Sequence, residues 1–450
     1  MLLERSTRLL PYFKYSSSSY LLITKKHWYS SLIQHNEFPY SKIHKPVMLE
    51  EVLDQLSPVS GGVYGDLTFG DGGYTKAILD SCDCKVVAID QDPTAYEKAL
   101  QLSNLQQYKG RLFPLLGRFG DVYHLTKKQL SWSVPCFDGV VMDIGVSSGQ
   151  IETPSRGFSY KLDGPLDMRM FSRGKEIDVS TLPDTEQALL RKSISAYEIV
   201  NFFSREQIAN IVYQYGGDRL SRKIASAIVD ARQSQPIETT SALASIIQKA
   251  CPQPRWKRGD DDMVRNSAAR TFQALRIYIN NELGELENAL KASEYILKPN
   301  GNLVAVTFHS LEDRIVKNFM HHCSGKRSIE EAKQNQFDIK KSANREYKKA
   351  SKKLSTPSYY RDNDDGQQHT LLYMEKKNKG RSMMDDDHHH QQQQQPSFQL
   401  LSKKVITPSH QEIQDNARSR SAKLRSAQRT SSVPLLPFGP LIDDDSDDDI

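Results

Sequence analysis

A chain of 450 residues, 38% hydrophobic and 26% charged, is long enough for two or three domains, or for one large domain with insertions. No apolar run in it reaches membrane-spanning length, so no membrane partner is expected. The net charge of +5 hides an asymmetry: the aspartates at 443–445 and 447–449 crowd the C-terminus, and without those six the chain stands at +11, an excess that suits a polyanion such as RNA or a merely solvated basic surface.

In chain order, residues 1–36 carry Arg5, Arg8, Lys14, Lys25 and Lys26 against the single acid Glu4, with serines at 16–19. That composition is that of an organellar presequence, mitochondrial before plastid; a disordered basic leader on a cytoplasmic protein is the alternative. Residues 37–170 alternate helix and strand. A helix is expected over 47–56, strands over 63–67, 86–90, 112–116 and 137–142, and a helix opening at 75–79. This rhythm implies an α/β fold, a mostly parallel sheet covered by helices. From 171 to 265 the pattern is helical. Ser204 and Gln207 form a capping box ahead of Ile208, Ile211, Val212 and Tyr215, and Leu220, Ile224, Ala227, Ile228 and Ala231 mark a second stripe. Strand signals resume afterwards, so this segment reads as an inserted helical domain. Phe272, Leu275, Ile279, Leu283, Leu286 and Leu290 then predict one long helix. The turn Pro299-Asn300-Gly301 leads into a strand over 303–308, and runs at 398–406 and 422–427 complete the sheet. Segments 37–170, 266–324 and 398–430 are thus pieces of one domain. Residues 325–397, basic and then homopolymeric in His and Gln, are expected to be a largely disordered insertion, and 431–450 a disordered acidic tail. The five cysteines (Cys82, Cys84, Cys136, Cys251 and Cys323) are odd in number and fit no zinc spacing; they read as reduced thiols, and no metal site is expected.

Two strand ends carry the chemistry. At the first, Asp66 is followed by Gly70, Asp71, Gly72, Gly73 and Tyr74. Glycines let the backbone approach a ligand, and the helix that follows offers free N–H groups. The order is not the G-x-G-x-x-G of a dinucleotide fold, and the acids suit the amino and sulfonium groups of S-adenosylmethionine better than a pyrophosphate. Asp90 ends the next strand, where a carboxylate accepts both ribose hydroxyls of an adenosine cofactor or caps a helix; alone it does not separate NAD from S-adenosylmethionine. The second strand end is Asp143-Ile144-Gly145-Val146-Ser147-Ser148-Gly149-Gln150, where an acid, a glycine and two serines stand outside an apolar strand. Arg156 and Phe158, with Arg169 in the turn 164–170, suit a phosphate clamp with base stacking, or a structural loop tied by an Arg–Asp pair. His309 stands at a further strand end, as a substrate contact or a structural hydrogen-bonder, with Arg314 five residues on.

Taken together these segments resemble one family, the bacterial-type small-subunit ribosomal RNA (cytosine-N4)-methyltransferases of the MraW, or methyltransferase H, type. The likeness runs from His44-Lys45-Pro46-Val47-Met48-Leu49 to residues 416–425, through 143–150, 156–158, 164–170, 270–277 and 308–317. It implies a class I, Rossmann-like, S-adenosylmethionine-dependent methyltransferase with an inserted helical domain. The implied reaction methylates N4 of a cytidine in the decoding region of small-subunit rRNA, naked or in an assembling subunit. Transferred position by position, the cofactor contacts fall on Gly72, Gly73, Tyr74, Asp90, Phe119, Asp143 and Gln150. Asp143 is also the candidate catalytic residue, and Arg156, Phe158, Arg169, His309 and Arg314 are candidate RNA contacts. Tyr74 stands where the family has histidine, Gly149 where it has proline, and Asn266-Ser267 where it has His-Pro; residues 174–194 exceed the usual connection. The alternative is a non-catalytic rRNA-binding assembly factor of the same fold, against which the presence of Asp90, Asp143 and Gln150 argues. An NAD enzyme is disfavoured by the missing glycine pattern. The sequence leaves the oligomeric state open.

Overall fold

The computed structural model describes residues 46–172, 193–252, 266–326 and 395–438; the leader, most of 174–194 and of 325–397, and residues 439–450 lie outside them. Strands β1 (Val63–Asp66), β2 (Lys85–Asp90), β3 (Leu112–Leu116), β4 (Phe137–Asp143) and β5 (Leu297–Thr307) run parallel in the order β3-β2-β1-β4-β5. Beyond β5 lie two antiparallel strands, β7 (Lys423–Arg429) and then β6 (Phe398–Leu400) at the edge. Helices α1 (Leu49–Leu56), α2 (Gly73–Ser81), α3 (Pro93–Ser103), α4 (Val122–Leu130) and α5 (Ser148–Glu152) accompany the first four strands. A helical layer follows: α6 (Ala196–Phe202), α7 (Arg205–Gly216), α8 (Ser221–Arg232), α9 (Thr240–Ala250) and α10 (Ser267–Ile279). The chain then returns to the sheet through α11 (Glu282–Ile296), α12 (Ser310–Cys323) and α13 (His410–Asp415). This is the Rossmann-like α/β class expected from the resemblance.

The central strands are apolar runs because both faces of the sheet are covered. Along β2, Val87 and Ile89 face a core shared with Leu286 and Leu290 of α11 and Val316 of α12. Val86 and Ala88 face the opposite one, with Leu53 of α1 and Ile78 of α2. A third core lies away from the sheet, where Ile208, Ile224, Leu243 and Phe272 of the helical layer close over Leu166 and Met168. Strand order reverses between β1 and β4, and at such a switch a ligand fits outside the carboxyl ends.

Four expectations are corrected. The single helix predicted from Phe272 to Leu290 is two, α10 and α11, broken at Asn280-Asn281, where Asn281 takes a left-handed φ of 49°. Its apolar steps of three and four survive the break, so periodicity did not reveal it. β5 begins at Leu297, before the Pro299-Asn300-Gly301 turn rather than after it. Of the run 398–406 only Phe398–Leu400 is strand; Ile406 makes an isolated bridge to Leu424. Residues 431–438, expected in the tail, are docked: Leu436 and Phe438 pack on the sheet core, and the buried Glu294 carboxylate accepts the N–H groups of Leu435 and Leu436 at 3.0 Å each. A carboxylate taking two backbone donors offsets much of its burial, and the apolar pair beside it supplies the docking energy.

Candidate active site

The carboxyl ends of β1, β2 and β4 open into a cavity of about 500 Å³ roofed by α10 and by residues 158–161, a size typical of small-ligand sites. Its floor is the turn after β1. Gly72 adopts φ 77°, and a Cβ there would meet the Phe69 ring at 2.7 Å; one on Gly73 would lie 2.2 Å from Pro46 Cγ. The turn therefore accepts no side chain at either place. Pro46 and Val47 in turn are tied down by the Tyr74 hydroxyl, which donates to the Val47 carbonyl. Where the family has histidine, this chain uses the phenol as a buried strut.

Three acids end neighbouring strands. Asp66, fully buried at the end of β1, accepts from the Thr75 hydroxyl at 2.6 Å and the Thr68 N–H at 3.3 Å, and burial still pushes its carboxyl up to about 6. Asp90 ends β2. One oxygen accepts the Gly70 N–H at 2.8 Å and the other the Asp92 N–H at 2.9 Å, so it holds the glycine turn in place; burial pushes it up to about 7. Each oxygen retains a lone pair for a ribose hydroxyl. Asp143 ends β4. Its N–H is fixed by the Thr68 hydroxyl at 2.7 Å, yet its Oδ1 is buried with no hydrogen-bond partner. Burial first, then Asp66 and Glu312, raise its carboxyl to about 8. A sealed carboxylate oxygen without a donor is costly, and a ligand N–H or cation in the cavity removes that cost.

Of the residues singled out in the sequence, the cavity brings together Gly73, Tyr74, Asp90, Phe119, Asp143, Gln150, Phe158 and His309. Gly72, Arg156, Arg169 and Arg314 are not on its wall. A family model for the MraW methylase family matches residues 41–377 and 372–430. The ribosomal RNA small subunit methyltransferase H of Paramagnetospirillum magneticum is 39% identical over 389 residues, 86% of this chain and 96% of that protein. The 12S rRNA N(4)-cytidine methyltransferase of Homo sapiens is 39% identical over 390 residues, 86% of this chain and 83% of that protein. The chain belongs to the MraW methylase family.

In this MraW methylase the arginines proposed as a phosphate clamp are committed elsewhere. Arg156, 5% exposed, donates to Asp92 at 2.8 Å and to the Met170 carbonyl at 2.8 Å. Arg169 pairs with Asp167 at 2.5 Å. Arg156 ties the 154–170 loop to the end of β2 and Arg169 braces the loop internally, the structural alternative for that loop, and a buried Arg–Asp pair is not released to solvent cheaply. Gln150 is also engaged: its Oε1 accepts the Ser147 N–H at 3.1 Å, closing a capping box on α5, and its Nε2 donates to Asp92 at 2.9 Å. It reaches the cavity as a strut with one amide hydrogen left over. His309 caps α12, its Nδ1 accepting the Glu312 N–H at 3.4 Å, while its Nε2 lies 2.7 Å from Glu312 Oε1. Sequence reasoning missed Glu312, Arg276 and Glu282 on the wall, although the first two lie inside quoted motifs. What would have flagged them is the expense of burying charges under an apolar helix.

Proposed function

We propose that this methyltransferase transfers the methyl group of S-adenosylmethionine to N4 of a cytidine in the decoding region of mitochondrial small-subunit rRNA, acting in the matrix on the naked RNA or the assembling subunit. The observation that carries the reading is the unpartnered Asp143 Oδ1, buried at the strand-order switch beside a cavity that Asp90 and Glu312 also line. The donor set fits the cofactor. Asp90 and Phe119 share the cavity wall, where they would hold the ribose hydroxyls and the adenine, and the acids would complement an ammonium and a sulfonium. When bound, S-adenosylmethionine supplies an electrophilic methyl carbon beside these acids.

The work left to the protein is orientation and proton management. The cytosine amine has its lone pair drawn into the ring, so it must be turned toward the methyl carbon and held there. Asp143 Oδ1 accepts one amine N–H and fixes that direction. An amine that takes up a methyl group must shed one proton. Asp143 receives it. A carboxyl pushed up toward 8 is matched to that task at neutral pH far better than an ordinary aspartate. The basic, acid-poor leader supports the mitochondrial assignment.

Mapping modified cytidines by mass spectrometry in mitochondrial small-subunit rRNA, from cells with and without the gene, tests the reading. A single N4-methylated cytidine lost with the gene is expected. An unchanged modification map, with rRNA still bound by the protein, would leave an assembly factor in its place.

A further inference from the structure

The cavity is lined by acceptors at one end and by one well-held donor at the other. Asp143 Oδ1 is buried without a hydrogen-bond partner, whereas Glu312 Oε1 lies 2.7 Å from His309 Nε2. Facing the same space is Arg276 of α10, whose Nε and Nη2 donate to the two oxygens of Glu282 at 2.7 and 2.8 Å. The pair spans six residues, a separation that turns side chains about 120° apart around a continuous helix and out of each other's reach. It forms only because the chain breaks at Asn280-Asn281 between α10 and α11. Glu282 is 4% exposed, and the bidentate grip fixes the plane of the guanidinium. Among the described residues Nη1 has no hydrogen-bond partner. Asp143, Glu312 and Arg276 all line this one cavity, and the Glu312 charge acts on both of the other two.

Cytosine presents one edge in a fixed order: the N4 amine gives hydrogens, N3 and O2 accept them. An unpartnered carboxylate oxygen and an unpartnered arginine nitrogen on the wall of one cavity offer the complement of that edge. Uracil would place its N3–H against the arginine and its O4 against the carboxylate, two repulsive contacts in a dry site. Of the other cations on the wall, Lys161 is exposed, and Arg418 is paired with the exposed Glu152 at 2.8 Å.

We propose that Arg276 is the base-reading residue of this site, donating from Nη1 to the N3/O2 edge of the target cytosine while Glu282 holds its plane. The inference rests on the cytidine reading of the preceding section. Its test is single-turnover methylation, at saturating S-adenosylmethionine, of a small-subunit rRNA fragment carrying cytidine, 3-deazacytidine or 2-thiocytidine at the target. Wild type and Arg276→Lys are compared, with Glu282→Gln as a second variant that leaves the arginine but frees its plane. On cytidine, Arg276→Lys should be slower by about 10–100-fold, the loss of a hydrogen bond to a charged donor. On at least one analogue the same substitution should cost about twofold or less, because the acceptor it served is already gone or weakened. Changes in the intrinsic reactivity of the analogue amine affect both enzymes and cancel in this comparison. Glu282→Gln should show the same loss of coupling in part, and calorimetric affinity for S-adenosylmethionine should be unchanged in both variants. An equal penalty on cytidine and on both analogues, for whichever variants melt normally, overturns the assignment of Arg276. A wild-type enzyme that methylates none of the cytidine fragments instead counts against the cytidine reading itself.

Discussion

Asp66, Asp90 and Asp143 sit at the ends of β1, β2 and β4 with carboxyl groups lifted from 3.8 to about 6, 7 and 8, chiefly by burial. A carboxyl that binds its proton more tightly when folded stabilises the fold fully below the unfolded value, and that stability drains away as pH rises through the folded value. The cofactor-free enzyme should therefore lose melting temperature steadily between about pH 4 and 8, the window set by those carboxyls. A cation bound among them reverses the preference for the neutral form. Stabilisation by S-adenosylmethionine should grow over the same range, and grow less for S-adenosylhomocysteine, which lacks the sulfonium charge. Melting curves at several pH values with each ligand check this; parallel curves for the two ligands would mean that the acids do not face the sulfonium. In single-turnover methylation the rate should rise with pH and level off at or below about 8, because ionised Asp143 is the proton acceptor and a bound cation lowers its pKa. Asp143→Asn should be slower by about 100-fold or more and lose that pH dependence. Normal rates for it once cofactor is saturating would reduce Asp143 to a binding residue.

At the scale of elements, the parallel strands and their terminal acids were legible because each is a local pattern: a short apolar run, then a carboxylate and glycines. What joins distant segments was not. Arg156 and Asp92 lie 64 residues apart, and nothing local to either says that they meet. The break between α10 and α11 was hidden for a different reason, since Leu283, Leu286 and Leu290 continue the phase of Phe272 and Leu275. Its cause is tertiary. Asn280, 3% exposed, accepts the Met170 N–H at 2.8 Å and donates to the Met168 carbonyl at 2.8 Å, so its amide replaces backbone partners for the 166–170 loop. Asn280→Ala leaves a buried N–H and C=O unsatisfied and should cost about 2 kcal/mol of stability. It should also loosen Glu282 from Arg276 and thereby slow methylation, while affinity for S-adenosylmethionine stays near wild type. Chemical denaturation and calorimetry together read these effects. A fully stable Asn280→Ala with wild-type rate would mean that the helix break is held by the left-handed Asn281 alone.

At the scale of the whole molecule, the chain leaves the sheet after α12 and comes back at β6 through nearly the same point. A Cβ built on Gly325 would lie 3.2 Å from Pro396 Cγ, and the Phe319 and Phe398 rings meet edge to face at 5.7 Å. Both lips of the intervening segment are therefore fixed by the core, independently of what lies between them. Closing a loop costs free energy that grows only with the logarithm of its length, so replacing residues 327–394 with a linker of about eight residues should stabilise the fold by about 1–2 kcal/mol. Affinity for S-adenosylmethionine should be unaffected, because every described residue on the cavity wall remains. The effect on RNA should differ. Lys340, Lys341, Arg345, Lys348, Lys349, Lys352 and Lys353 fall in one stretch with Glu346 as its only acid. Cations that touch phosphates release counterions, so their removal should weaken rRNA binding and flatten its dependence on salt, with the rate at saturating RNA preserved. Melting, calorimetry and RNA titrations at several salt concentrations separate these outcomes. A shortened protein that no longer melts cooperatively would make the segment part of the fold. One with an unchanged salt slope would show that the basic stretch lies off the RNA path.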